Sequence, residues 1–169
     1  MIDTKALFLY NICIIYVNNF GDIIMKFDFK GITAEELSFK LNHVKLAPDT
    51  KLDIKPQFSR QVRKVNGNEK VNFIVLSVKI ASTEAEPKPF DINVTLVGIF
   101  EVEVANESEE RSFVIEGTKL IYPYLRSAVT NLTANAYIAP LNLPVITGPI
   151  FPEDRDVYAF SVGNNNNLN

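Results

Sequence analysis

Residues 90–104 alternate between apolar and polar side chains, and this alternation constrains the fold more than any other feature of the sequence. Side chains of a strand point in turn to the two faces of a sheet, so the pattern predicts a strand with one buried face and one wetter face. Gly98 interrupts the buried row and predicts either a bulge or the close approach of another element. Val97 and Ile99 fall on the wetter face, which indicates that something covers it locally. The buried row consists of Phe90, Ile92, Val94, Leu96, Phe100, Val102 and Val104.

Three earlier segments carry similar alternation and predict further antiparallel strands. Residues 27–41 alternate with an interruption near Thr33, which predicts one bent strand or two short ones. The run at residues 52–63 contains Pro56, which indicates an edge position or a bulge. Asn66-Gly67 predicts a hairpin turn into a strand at residues 71–81, because both residues tolerate positive φ.

One helix and one irregular segment follow the strands. Residues 106–111 are polar and acidic and predict a charged turn. An apolar stripe at helical spacing predicts a helix over Lys119–Thr133, in which Pro123 marks either the start or a kink. Residues 137–149 are apolar but contain three prolines and a glycine, so they are expected to form an extended ribbon. The strand-rich order followed by one helix predicts an α+β fold.

Composition excludes several classes of function. The chain has 169 residues, enough for one domain, and 17 Lys+Arg against 20 Asp+Glu give a net charge of −3. This balance argues against a nucleic-acid-binding protein. One Cys and one His, His43, leave no disulfide framework and no multi-His metal centre. We therefore predict no enzyme, no metal and no cofactor, and interpret Glu107, Glu109 and Glu110 as a solvated turn.

The two ends of the chain stand apart from the rest. Residues 6–17 are mostly apolar but too short for a membrane span, which needs about 20 residues. We interpret residues 1–24 as an extension created by a misassigned start at Met25, with a signal-like segment or a genuine extension as alternatives. Residues 25–163 are predicted to form a single domain, and the Asn-rich residues 164–169 a disordered tail.

The apolar ribbon and the strands with apolar residues on both faces leave more apolar surface than one helix can cover. Such surface is typical of oligomerisation or of a binding groove, although most of these side chains are expected to be packed in the core.

Three motifs follow one another along the chain. Residues 47–54 read APDTKLDI, residues 98–100 read GIF, and residues 120–126 read LIYPYLR and are followed by PLNLPV at residues 140–145. In this order and at this spacing they resemble the SecB-type chaperones of bacterial protein export. The resemblance covers roughly residues 27–147, and its third motif is the most specific.

This resemblance implies a four-stranded antiparallel sheet, a meander, with one main helix packed on one face, assembled as a dimer of dimers. It implies a cytoplasmic, ATP-independent holding chaperone that keeps unfolded precursors export-competent for the Sec translocase. Clients in that family lie in apolar grooves between the sheet and the segment after the main helix. The corresponding client-binding residues here are Leu46, Tyr137, Ile138, Leu141, Leu143, Val145 and Ile146.

Departures from the family pattern concern the SecA motor, a partner of that family. The acidic sheet positions that dock SecA fall about on Glu36, Lys40 and Asn93, and only Glu36 keeps the charge. Asp91 lies nearby and is expected to substitute, which gives Glu36, Asp91 and Asn93 as the docking residues. The family's tryptophan falls on Leu46, and its closing helix is absent or short. Two alternatives therefore stay open: a chaperone with a dedicated client such as an antitoxin, and a non-chaperone oligomeric adaptor.

Overall fold

An antiparallel sheet with one long helix on one face forms the body of the computed structural model, which describes residues 12–17, 23–45 and 54–155. The described strands lie in the order β1-β2-β5-β4-β3. The elements are β1 (Ile12–Val17), β2 (Ile23–Leu41), β3 (Gln57–Val65), β4 (Asn68–Ile80), β5 (Phe90–Val102), helix α1 (Glu107–Asn135) and a short 3₁₀ turn at Pro152–Asp154.

The predicted α+β class with one main helix is confirmed, and the sheet differs from the prediction in two respects. Strands β3, β4 and β5 form the predicted meander, but β2 pairs with β5 and closes a Greek-key order. A fifth strand, β1, pairs with the first part of β2. It belongs to residues 1–24, which were interpreted from the sequence as an extension. The Met25 start and the Asn-rich tail stay predictions, and residues 156–169 lie outside the described residues.

Strand β2 is a single bent strand, which is the first of the two alternatives predicted for residues 27–41. Its pairing with β5 shifts register between Phe29 and Gly31 and again between Ala34 and Glu36. A bulge adds a residue on one side of a ladder and bends the strand. Pro56 lies just before β3 and not within it. The predicted hairpin turn at Asn66-Gly67 is confirmed, and Gly67 has φ 82°.

Helix α1 begins at Glu107, so the prediction of a charged turn at residues 106–111 is wrong. The Asn106 side chain accepts a hydrogen bond from the Glu109 N–H at 2.9 Å, and the Glu109 carboxylate accepts one from the Ala105 N–H at 2.8 Å. This arrangement is a variant of the capping box in which Glu109 bonds to the residue before the N-cap, and acidic residues in the first turn also suit the helix dipole. Pro123 lies inside the helix.

Two glycines allow α1 to lie close to the sheet. A Cβ atom added at Gly98 of β5 would lie 2.5 Å from Ile121 Cδ1, and one added at Gly117 of α1 would lie 2.5 Å from Ile74 Cδ1. Close approach, and not a bulge, therefore explains the gap in the buried row of β5. Around this contact the rings of Phe27, Phe100 and Phe113 pack edge to face.

The sheet face opposite α1, called the outer face below, carries a small apolar centre. Val75 of β4 and Val97 of β5 pair across the strands and are 3% and 9% exposed. Arg63 of β3 and Glu35 of β2 form an ion pair at 2.7 Å, which spans the two strands between them. Their long side chains therefore cross the valine pair, and this is the cover that the apolar residues on the wetter face of β5 predicted.

Candidate functional site

Residues 137–149, called the ribbon below, leave the end of α1 and run back along the helix. The described ribbon contains no helix or strand, in agreement with its prolines. Its backbone polar groups must therefore find partners outside regular secondary structure.

Side chains on one face of α1 supply those partners. Burial raises the pKa of the Tyr122 phenol, so the hydroxyl stays a hydrogen-bond donor throughout the physiological range. The contacts join Thr133 Oγ1 to the Leu141 N–H (2.9 Å), Thr130 Oγ1 to the Leu141 carbonyl (3.1 Å), Arg126 Nε to the Leu143 carbonyl (3.0 Å) and Tyr122 Oη to the Pro144 carbonyl (2.8 Å).

These four anchoring residues were not among the predicted site residues. Three of them, Tyr122, Arg126 and Thr130, recur at every fourth position, and Thr133 follows three residues later. Polar side chains at that spacing form a stripe along a helix. The signal was present, but only the structure shows that a backbone lies along it.

The ribbon side chains differ widely in their exposed fraction. Tyr137 is 97% exposed and Val145 is 72% exposed. Leu143 does not fit the prediction that it lines a client-facing wall, because it is 3% exposed and belongs to the core. Three further predicted client-binding residues are partly buried against that core: Ile138, Leu141 and Ile146. Leu46 lies outside the described residues.

Tyr137 has an unusual backbone conformation at the end of α1. Its φ is 58°, in the left-handed region that glycine normally occupies at this position of a helix terminus. The Tyr137 N–H bonds to the Ala134 carbonyl at 3.0 Å, and the Ile138 N–H lies 3.4 Å from the Thr133 carbonyl oxygen. These bonds define a Schellman motif with tyrosine in the place of glycine. The ring gains no burial in return.

A cleft of about 100 Å³ separates the later part of the ribbon from α1. Its walls are mainly apolar, with two cationic side chains among the helix residues. One of these, Lys119, forms an ion pair with Glu116 at 2.6 Å. The lining residues are Lys119, Tyr122, Pro123, Arg126, Val145, Ile146, Gly148 and Ile150.

A second apolar surface lies on the other side of α1. The Tyr122 ring packs against Phe58 near the start of β3, whereas the Tyr124 ring packs against Phe29 of β2. The two sides of the helix therefore face opposite edges of the sheet. On the β2 side Leu37 and Leu41 are each 53% exposed. The chain therefore presents two apolar surfaces that flank α1, and only the one on the β3 side includes the ribbon.

The predicted docking residues share the outer face. Glu36 pairs with Thr95 in the β2–β5 ladder, and Asp91 and Asn93 follow on the same face of β5. The Asp91 carboxylate accepts hydrogen bonds from the Ser82 N–H at 2.6 Å and from Asn42 Nδ2 at 3.0 Å. The Ser82 bond, more than any other contact, lowers the pKa of Asp91. Asp91 thus closes a local turn, while Glu36 is exposed.

Within the described residues no helix has the length and apolar character needed to cross a membrane. Among the described residues, the large exposed apolar side chains lie on β2, β3, α1 and the ribbon, and the outer face carries charged side chains above a covered apolar centre.

Comparisons with known proteins agree with this architecture. The family model described as preprotein translocase subunit SecB matches residues 24–148. The uncharacterized protein MJ0357 of Methanocaldococcus jannaschii is 30% identical over 122 residues, which are 70% of this chain and 77% of that protein. The SecB-like chaperone Rv1957 of Mycobacterium tuberculosis, solved with a ChAD peptide from the HigA1 antitoxin, superposes with a TM-score of 0.60 at 18% identity. That match covers 73% of this chain and 93% of the other. The chain therefore belongs to the SecB family, as its three motifs predicted.

Proposed function

We propose that this protein is an ATP-independent holding chaperone that binds unfolded polypeptide segments along the ribbon. The observation that carries the proposal is Tyr137, an aromatic residue in a strained backbone conformation whose ring is 97% exposed. Such strain is retained where something other than the folded chain uses the side chain. Val145 adds a second exposed apolar side chain beside the cleft.

The chemistry of this surface suits a client without a fixed sequence. Apolar contact is non-directional, so different unfolded segments can bury their side chains against the same residues. The anchors on α1 satisfy the Leu141 N–H and the carbonyls of Leu141, Leu143 and Pro144. The exposed side chains of Tyr137 and Val145 are left to contact a client. Neither catalysis nor a bound cofactor is required.

Two kinds of client are compatible with this site. The family description supports exported precursors passed on to the Sec translocase in the cytoplasm. A dedicated client, such as an antitoxin, is the second candidate, supported by the antitoxin peptide bound to Rv1957. The outer face favours the second candidate, because Lys40 stands at one acidic docking position and Asp91 is engaged by Ser82.

The surface on the β2 side of α1 supports self-association. Leu37, Leu41 and Tyr124 are large apolar side chains that are 44–53% exposed in the single chain. We propose that a second copy covers them in a dimer that pairs again into a tetramer. Light scattering coupled to size exclusion measures the mass, and a monomer at all accessible concentrations would contradict this assembly.

Suppression of aggregation tests the holding function. We expect the chain at stoichiometric concentration to keep a reduced, denatured test protein in solution. The double variant Tyr137→Asp, Val145→Asp should lose most of this protection, because both charges lie on the exposed surface and would have to be buried by a client. Ala85→Asp adds the same charge at an exposed position in the loop between β4 and β5, outside both apolar surfaces, and is the control that should retain protection. No protection by the wild-type chain would contradict both chaperone candidates and favour the adaptor.

Client preference separates the two candidates. A translocase role predicts saturable binding to SecA that weakens on Glu36→Lys, since Glu36 is the exposed acidic residue of the predicted docking set. A dedicated role predicts strong preference for one client and no such binding.

A further inference from the structure

The segment that follows the ribbon is held by a buried ion pair that the family resemblance does not predict. Arg60 of β3 donates two hydrogen bonds to the Asp154 carboxylate, from Nη1 at 2.7 Å and from Nη2 at 2.9 Å. The two side chains are 10% and 4% exposed. A bidentate contact of this kind fixes the relative orientation of the guanidinium and the carboxylate as well as the distance between them.

Neighbouring contacts complete the enclosure of Arg60. Its guanidinium carbon lies 4.6 Å from the centre of the buried Phe151 ring, and Nη1 lies 3.3 Å from Thr118 Oγ1 of α1. Glu153 approaches the same guanidinium at 3.6 Å but is 61% exposed. From α1, Arg111 donates to the Glu153 carbonyl at 2.6 Å. The 3₁₀ turn is therefore attached to both the sheet and the helix.

This attachment determines how the later part of the ribbon is held. The last hydrogen-bonded anchor on α1 is the bond from Tyr122 to the Pro144 carbonyl, and the next buried side chain is Phe151. Between these two points Ile146 and Ile150 pack only partly against the core. Residues 145–150 bridge these two points and supply one wall of the cleft, including the exposed Val145. The family match ends at residue 148, so Arg60 lies within the part of the chain that the family model covers, whereas Asp154 lies beyond it.

We propose that the Arg60–Asp154 pair is a latch that holds residues 145–150 against α1 and so keeps the client site formed before a client arrives. The proposal rests on the holding function proposed above. A wall held in place before binding does not have to be ordered by the client, and the affinity for the client rises accordingly. Arg60 and Asp154 are thus positioning residues that contact no client themselves.

Asp154→Asn tests the latch, because it keeps the shape of the side chain and removes its charge. Glu153→Gln is the matched control, since it removes the same charge from the adjacent, exposed residue of the same turn. We expect Asp154→Asn to bind fluorescently labelled, reduced and carboxymethylated lactalbumin roughly tenfold more weakly, equivalent to about 1.4 kcal/mol. Glu153→Gln should bind it as the wild type does.

Hydrogen exchange provides a second measurement that a general loss of stability would not reproduce. At a temperature well below the unfolding midpoint, peptides covering residues 145–155 should exchange faster in Asp154→Asn, while peptides from β5 stay protected. Unchanged affinity, or unchanged exchange at residues 145–155, would overturn the latch. If Asp154→Asn does not fold, Phe151→Leu and Arg60→Lys, which keep an apolar and a cationic side chain, undergo the same two measurements.

Failure of the holding function can be told apart from failure of the latch. If the wild-type chain does not bind the unfolded probe, the proposed function falls. The latch is then judged by exchange alone: faster exchange at residues 145–155 in Asp154→Asn supports it, and unchanged exchange refutes it.

Discussion

Replacing Tyr137 with glycine should separate the stability of this protein from its function. Tyr137 has φ 58° and is 97% exposed, so its ring contributes almost no burial to the folded chain. A non-glycine residue in the left-handed region costs about 1–2 kcal/mol. Glycine removes that strain but adds about 0.4–1 kcal/mol of backbone entropy to the unfolded state. The difference predicts that Tyr137→Gly is between neutral and about 1.5 kcal/mol more stable than the wild type.

Client binding should change in the opposite direction. The Tyr137→Gly variant lacks the exposed ring, so we expect it to bind the unfolded probe more weakly and to protect a test protein less well. Urea unfolding followed by circular dichroism, at a fixed protein concentration, measures the stability. A stabilisation of 1 kcal/mol would raise the melting temperature by about 2–4 °C in a chain of this size.

Two further substitutions at the same position serve as controls. Tyr137→Asn tolerates positive φ and removes the ring, so it should lose binding as Tyr137→Gly does. Tyr137→Phe keeps the ring and should retain binding. The reasoning is wrong if Tyr137→Gly is clearly less stable than the wild type, or if it binds the probe with unchanged affinity.

Leu143→Ala should destabilise the fold by about 2–5 kcal/mol because Leu143 is 3% exposed, whereas Val145→Ala should change stability by less than about 0.5 kcal/mol; equal effects in urea unfolding would refute this division of the ribbon. Thr133→Val keeps the volume of a fully buried side chain but leaves the Leu141 N–H without its acceptor, so we expect a loss of about 1–3 kcal/mol and faster exchange of that one amide. The hydrogen bonds that lower the pKa of Asp91 below its ordinary value of 3.8 stabilise the fold above that pH, and this contribution is lost as the pH falls through the lower value of the folded state. The stability lost between neutral and acid pH, measured by circular dichroism, should therefore be smaller in Asp91→Asn than in the wild type. An equal loss in the two proteins would contradict this role of Asp91.

The sequence predicted the parts of this fold that depend on local periodicity. The alternation along β5, the Asn66-Gly67 turn and the stripe of α1 each describe one element and its buried face. The start of α1 was misplaced because its first turns are polar, and Asn106 with Glu109 was the capping signal that would have located it.

The parts that the sequence could not predict depend on contacts between distant segments. Leu143 and Val145 are both apolar residues of one irregular segment, and only the packing of that segment against α1 and the core shows that the first faces inward and the second outward. Arg60 and Asp154 are separated by 94 positions, so no local pattern relates them. The same limit applies to the Greek-key pairing of β2 with β5.

The ion pair between Arg63 and Glu35 gives the outer face an unusual dependence on ionic strength. Dissolved salt weakens exposed ion pairs, and this one lies above Val75 and Val97. Rising salt should therefore uncover two valines at the same time as it screens the charges around them. A partner that docks on this face would lose electrostatic attraction but gain contact with exposed apolar surface. Its affinity should therefore fall less steeply with added salt than the number of charges on the face would suggest.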